Sequence, residues 1–377
     1  MILFGAIQIK LIKLKIERRD STLHKKECIP IVGVDISPSS VRVLQLKCRD
    51  GQYHIIGGGQ TSVAMLSDEC KGAQDDFIVS AISEGVKAAK VNAHHAVCSV
   101  SGNDVSVKGF MLPCLPEKEI QGAVEFEAAQ TLAVDTMNSK VAYHLYPDHV
   151  IDNILNDPDK DDIGGVMVIA SNKSVDRTVK LVESAKLNCA IVDAESVALL
   201  NCFESIENDL VDQTIFIVHM GETKSHLIIH RPNTLPFFRE MSVGFNTIIE
   251  LIAEELDETF DNIKRFLNDH EAQREAGVNI NVSFSRACQD WIGELMSTIR
   301  SYYYQNETAE IDQILLCGEI SMIDGIDEML DVQLPMPVAL WNPLEKMTYD
   351  KKNLDVQAFV ENGTLMNVAV GLAIREI

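Results

Sequence analysis

Asp35, Ser37, Ser39, Ser40 and Arg42 crowd into one short, glycine-free turn within residues 31–45, IVGVDISPSSVRVLQ. One carboxylate, three hydroxyls and one guanidinium between two apolar runs suit a phosphate-bearing ligand. Hydroxyls and backbone N–H groups take phosphate oxygens, Arg42 offsets their charge, and Asp35 orients the waters of a Mg²⁺. Apolar residues on either side predict strand, tight turn, strand. An ordinary surface hairpin has the same pattern, so the residue types alone do not separate the two.

The elements that would hold such a turn occur twice. After the first hairpin, residues 52–56 predict a third strand, ending in Gly57-Gly58-Gly59. Without a Walker or GxGxxG pattern, these glycines are expected to form a flexible turn. About 185 residues further on, residues 214–220 (TIFIVHM) predict a strand, 221–225 a polar turn, 226–230 a return strand and 236–241 a third strand. Gly244 then opens a helix over 246–257. A duplicated hairpin predicts two similar lobes with a cleft between them, a usual place for a ligand.

Helical spacing of apolar residues predicts helices over 75–90, 117–132, 175–186, 195–203, 288–304, 325–332 and the last 14 residues, with a charged helical stretch over 261–281 broken at Gly277. Strands are expected at 96–100, 141–146, 166–170, 189–193 and 311–317, those at 96–100, 166–170 and 311–317 buried. The run Tyr302-Tyr303-Tyr304 ends an apolar stripe and is read as core packing. Asp193 and Glu195 are the carboxylates available as a base for phosphoryl transfer, although acids at a helix start also favour the dipole.

A chain of 377 residues suggests two or more domains. Its 56 acidic against 33 basic residues give a net charge of −23, which excludes broad nucleic-acid binding. Nine scattered cysteines without a CxxC fit reduced thiols in a cytoplasm, and neither cysteines nor histidines show metal-ligand spacing. His226 and His230 are four apart, but in a strand. The acidic stretch 148–162 lacks the glycine and terminal glutamate of a calcium loop. Residues 1–30 differ from the rest: apolar residues interleave with Lys10, Lys13 and Lys15, and the stretch carries +4. They are too short an apolar run to cross a bilayer; contact with anionic lipid and a disordered leader both fit.

Several further stretches occur in a characteristic order: GVDISPSSVRVLQL, LPCLPEKEIQGAVEFEAAQTL, VIASNKSVDRTVKLVESAKLNCAIVDAESVALL, ILLCGEISMIDGIDEML, WNPLEKM and AVGLAIRE. Together they resemble the PilM family, the actin-like cytoplasmic proteins of type IV pilus assembly, and more distantly the cell-division protein FtsA. The resemblance covers about residues 31–377. It implies an α/β, actin-like two-lobe ATPase fold that lacks subdomain 1B and carries an inserted subdomain 1C near residues 114–188. The expected division is a leader at 1–30, lobe I at 31–205, lobe II at 206–363 and a helix at 364–377 returning to lobe I. By the same resemblance Asp35 to Arg42 form the first phosphate hairpin, with Asp35 toward the metal. Gly221 to Ser225, including Thr223, form the second. Gly244, Asn246 and Thr247 lie beside the nucleotide, and Gly318, Glu319 and Met322 form the adenosine motif. The family's second glycines are replaced by Phe245 and Glu319. His219 stands where the family has the Asp of an Asp-x-Gly turn. Mg²⁺ prefers oxygen ligands, and Glu319 puts negative charge where a ribose or phosphate approaches, so ATP with Mg²⁺ is expected to bind weakly.

The function implied is a scaffold at the cytoplasmic side of the inner membrane, binding the N-terminal tail of a PilN-like bitopic protein. Other platform proteins and a second copy of the chain are further expected partners. Leu112, Leu115, Phe126 and Tyr143, with the acidic edge Glu119, Glu125 and Glu127, are the residues expected to meet the tail in a groove between subdomains 1A and 1C. The alternatives are an ATP-hydrolysing or phosphotransferase member of the actin and sugar-kinase superfamily, or the matching component of a type II secretion or MSHA-type pilus system.

Overall fold

The computed structural model describes residues 12–13, 29–63, 74–131, 138–147, 151, 162–210, 212–269, 271–272, 280–306, 310–349 and 359–377. The chain forms two compact units. The first comprises Met1–Val211, Asn233–Pro236 and Asn342–Ile377, and the second Asp212–Pro232 and Phe237–Trp341.

In the first unit the main strands are β1 (Ile12–Lys13), β2 (Ile31–Ile36), β3 (Ser40–Arg49), β4 (Gln52–Ser62) and β5 (His95–Val100), with α1 (Gln74–Ala88) between β4 and β5. Ile31, Val32 and Val34 are all buried, without alternation, because β2 lies inside a sheet covered on both faces. Helix α1 turns Ile78, Ala81 and Ile82 inward and carries Asp75 and Asp76 in its first turn, where acids favour the dipole. The expected turn at Gly57-Gly58-Gly59 is corrected: all three pair with β3 inside β4. A Cβ at Gly57 would lie 2.0 Å from the Ala89 carbonyl oxygen and one at Gly58 2.7 Å from the Phe359 ring, so these two glycines answer a close approach of other elements, whereas a Cβ at Gly59 would meet nothing within 4 Å.

A smaller layer follows, made of β6 (Val105–Pro113), α2 (Glu117–Thr131), β7 (Ser139–Leu145) and β8 (Asp162–Ser171). Its strands form a separate antiparallel sheet in the order β6-β8-β7. Ile120, Val124 and Ala128 of α2 pack on Phe110 and Met167. Strand β6 is not among the strands expected from the sequence, since the prolines at its end and beyond it break the local pattern. The first unit is completed by α3 (Asn172–Ser184), β9 (Asn188–Ala194), the buried α4 (Glu195–Ile206) and a short terminal helix (Asn367–Ala373). Ser171 caps α3, its Oγ accepting from the Ser174 N–H at 3.1 Å. The terminal helix is shorter than the 14 residues expected, a 3₁₀ turn at Gly363–Leu365 preceding it, and it is buried throughout.

The second unit has β10 (Ile215–Met220), β11 (Ser225–His230), β12 (Phe237–Met241), α5 (Phe245–Leu256), α6 (Phe260–Asn268), α7 (Ile280–Ala287), α8 (Gln289–Gln305), β13 (Gln313–Gly318), α9 (Ile326–Asp331) and β14 (Val338–Leu340). Phe216, Val218 and Met220 on one face of β10 join Ile248, Ile249 and Ile252 of α5 and Trp291, Leu295 and Ile299 of α8 in a single core. Tyr302 packs edge-on against Phe237 in that core, whereas Tyr304 is exposed.

The duplication expected from the sequence is visible in strand direction. In the first unit β4, β3, β2, β5 and β9 follow one another with two antiparallel and then two parallel pairings. In the second unit β12, β11, β10, β13 and β14 repeat that order and those directions. Antiparallel neighbours need only a tight turn; the parallel ones require crossovers, which the helices supply. The acidic stretch 148–162 and the Gly277 break fall mostly or wholly outside the described residues, as does most of the 1–30 leader.

Candidate functional site

The first hairpin brings Asp35, Ser37 and Arg42 together. Asp35 and Arg42 are direct cross-strand partners on β2 and β3. Arg42 Nη1 lies 3.4 Å from Asp35 Oδ2 and donates to Ser37 Oγ at 3.2 Å, with both charged side chains buried. The Ser37 N–H donates to the Ser40 carbonyl at 2.8 Å and closes the turn, and the Ser39 carbonyl accepts from Val63. Ser40 Oγ is buried and makes no hydrogen bond among the described residues. The guanidinium thus compensates the Asp35 carboxylate directly, and a Mg²⁺ at Asp35 would have to share it.

The second hairpin is built into the N-terminus of α5. The Gly221 N–H closes its turn on the Lys224 carbonyl at 2.8 Å. Phe245 donates to the Gly221 carbonyl and Asn246 to the Glu222 carbonyl, each at 2.9 Å, and Thr247 donates to Gly244 at 3.1 Å. A Cβ at Gly244 would lie 2.3 Å from the Thr223 backbone, so only glycine lets helix and turn meet. Gly221, Thr223, Gly244, Asn246 and Thr247 are therefore one assembly. Gly318 joins it from β13, in parallel register with Met220, with φ +86 in the left-handed region. Glu319 follows half-buried, Ser321 Oγ donates to the Gly318 carbonyl at 2.6 Å, and Met322 is exposed. These residues gather outside the carboxyl ends of two parallel strands, where ligands of open α/β sheets bind.

The charges of this assembly were only partly legible in the sequence. Glu240, His226, His219 and Cys317 stand in one cross-strand row over β12, β11, β10 and β13, on the face away from the helix-packed core. The two imidazoles are 6.0 Å apart between ring centres. Glu240 forms an ion pair with Lys224 and lies 3.8 Å from His226 Nδ1. The sequence does carry one signal for this row: counting outward from the 221–224 turn, residue by residue on each strand, pairs His219 with His226. A Mg²⁺-bound phosphate asks this turn for a carboxylate at position 219 and for open helix N–H groups. The chain offers an imidazole, and the first N–H groups of α5 are closed on the turn's own carbonyls. The second hairpin does not fit that group.

In the small layer, Leu112, Leu115 and Tyr143 flank the core under α2, and Tyr143 meets Phe110 edge-on at 6.4 Å. Phe126 points the other way and is 66% exposed. The acidic edge is tied along the helix, Gln121 donating to Glu125 at 2.7 Å.

Asp193 is fully buried, accepts from the Ala194 N–H at 2.9 Å and pairs with Arg375 Nε at 3.2 Å. That pairing holds it inside the fold and removes it as a base for phosphoryl transfer. Nothing in the spacing pointed to Arg375 as its partner, 182 residues away. Burial pushes the Glu204 carboxyl up to about 8 and the His230 imidazole down to about 4. Among the described residues no group of His, Cys, Asp and Glu is placed to hold a metal ion, and no helix is long and apolar enough to cross a membrane.

The family model described as "Type IV pilus assembly protein PilM" matches residues 33–377. A solved structure described as the PilM-PilN type IV pilus biogenesis complex is similar at 18% identity, covering 92% of this chain and 98% of that one with a TM-score of 0.73. The ethanolamine utilization protein EutJ from Carboxydothermus hydrogenoformans is similar at 10% identity, 91% and 88% coverage and a TM-score of 0.51. A protein from Bacteroides thetaiotaomicron described as having an actin-like ATPase fold aligns at 11% identity over 89% of this chain and 97% of that one, with a TM-score of 0.46. The fold is the actin-like one that the resemblance implied.

Proposed function

Since the chain belongs to the PilM family of type IV pilus assembly proteins, we propose that it is an actin-like scaffold of the pilus platform that binds the N-terminal tail of a PilN-like bitopic protein. Such a partner would hold it at the cytoplasmic face of the inner membrane. The observation that supports this reading best is the family match over residues 33–377. The small layer adds a plausible contact: Phe126, an exposed aromatic on an otherwise polar helix edge, is the kind of residue that dominates small interfaces. Leu112, Leu115 and Tyr143 form the apolar body behind it. The nucleotide assembly is retained in outline but altered at His219 and Glu319, so the scaffold works with weak Mg·ATP binding.

The test is fluorescence polarisation with a labelled N-terminal peptide of the PilN-like protein. Phe126→Ala weakens binding by about tenfold or more, ~1.4 kcal/mol, and leaves the melting midpoint unchanged. Tyr143→Ala serves as the contrast, because it strips a packed ring and lowers the melting temperature. Unchanged affinity in the Phe126 variant would remove the small layer from the interface.

A further inference from the structure

The duplication accounts for five strands in the main sheet of each unit, and β1 is one strand more in the first. It lies antiparallel on the outer edge of β9, Ile12 opposite Val192 and Lys13 opposite Ile191. Among the described residues, the corresponding edge strand of the second unit, β14, carries no such addition and is half-exposed. β9 differs: from Cys189 to Ala194 every residue is buried. A buried strand edge with open N–H and C=O groups is costly, and an added strand satisfies them.

We propose that the edge of β9 is a strand-acceptor site, which β1 occupies and which an extended peptide in trans can take over. The seated Ile12–Lys13 pair sets the direction, antiparallel to β9, and the sequence around it, residues 7–16, interleaves apolar residues with Lys10, Lys13 and Lys15. Residues 1–30 carry +4 and the remaining residues −27, so a cationic strand is drawn to the body it covers. A tethered strand competes at an effective concentration on the order of mM, so it masks the edge from a free peptide without sealing it. Short edge ladders are also marginal by themselves, so a longer strand can displace this one. The proposal does not rest on the identity of the pilus partner.

The test uses the full chain and a fluorescein-labelled peptide of residues 7–16, IQIKLIKLKI. Ile12→Pro with Lys13→Pro removes whichever of the two N–H groups faces β9, since neighbouring residues of a strand turn theirs to opposite sides, and disfavours the ladder without touching β9. The variant is expected to bind the probe at least tenfold more tightly than the unmodified chain, and more tightly than a scrambled peptide. Of the adjacent β9 amides of Ile191 and Val192, the one that faces β1 rather than β5 should exchange hydrogen faster in the variant and be protected again by the probe. Equal probe binding by both proteins, or no binding by the variant, overturns the proposal. So does equal exchange of that amide in both proteins. Concentration-dependent dimerisation relieved by the variant would assign the edge to a second copy instead. Salt-sensitive binding to phosphatidylserine vesicles that the variant loses, with probe binding unchanged, would assign the leader to lipid.

Discussion

By the resemblance, His219 takes the place of the aspartate of an Asp-x-Gly turn, and its surroundings argue for changing it together with Glu319. The imidazole lies between His226 and Cys317 in a buried row, and a Cβ on Gly318 would come within 3.0 Å of its ring carbon. A carboxylate there needs a cation to compensate it, and Lys224 is already paired with Glu240. His219→Asp with Glu319→Gly supplies the missing oxygen ligand while removing the negative charge at 319. Isothermal titration with Mg·ATP is expected to show weak or no binding by the unmodified chain and at least tenfold tighter binding by the double variant. Micromolar affinity in the unmodified chain would sink the idea. The hydroxyl-rich turn and Arg42 were visible in the sequence as a hairpin between two strands. That Arg42 turns back onto Asp35 was not, because the turn's composition says nothing of how its side chains pair.

At the scale of elements, the ion pair between Asp193 and Arg375 ties the end of β9 to the last residues of the chain. Both side chains are essentially unexposed. Removing one partner leaves an uncompensated buried charge, a change of about 3–5 kcal/mol. Arg375→Ala is therefore expected to lower the melting temperature by about 10 °C, and Asp193→Asn in the same chain to recover much of that loss. An Arg375→Ala variant that melts like the parent would show the pair to be dispensable. The neighbouring segments illustrate what periodicity can and cannot read. Helix α1 was legible from Ile78, Ala81 and Ile82 because a helical stripe needs only local spacing. The continuation of β4 through three glycines was not, because it rests on pairing with β3, and the need for glycine at 57 and 58 comes from the Ala89 carbonyl and the Phe359 ring, both supplied by other parts of the first unit.

At the scale of the molecule, the charge of −23 is a property of the whole surface. Self-repulsion opposes compaction, and salt screens it. Raising ionic strength from about 10 mM to about 150 mM shortens the Debye length from about 30 Å to about 8 Å, and differential scanning calorimetry should show a melting temperature higher by a few degrees. A fall instead would mean that attractive pairs such as Asp75 with Arg177, 2.6 Å apart and exposed, outweigh the repulsion. The repeated hairpin was enough to anticipate two units with one sheet order, because it depends on local pattern and chain order, and the PilM family was legible from the resemblance of the ordered motifs. The tertiary structure alone decided three matters: that β1 takes the edge of β9, that Asp193 meets Arg375, and that Glu240 and Cys317 extend the His219–His226 pair into one row. Each joins residues that lie far apart in the chain or on different strands. Register and long-range pairing are set by the packing of whole sheets, and no window of sequence contains that information.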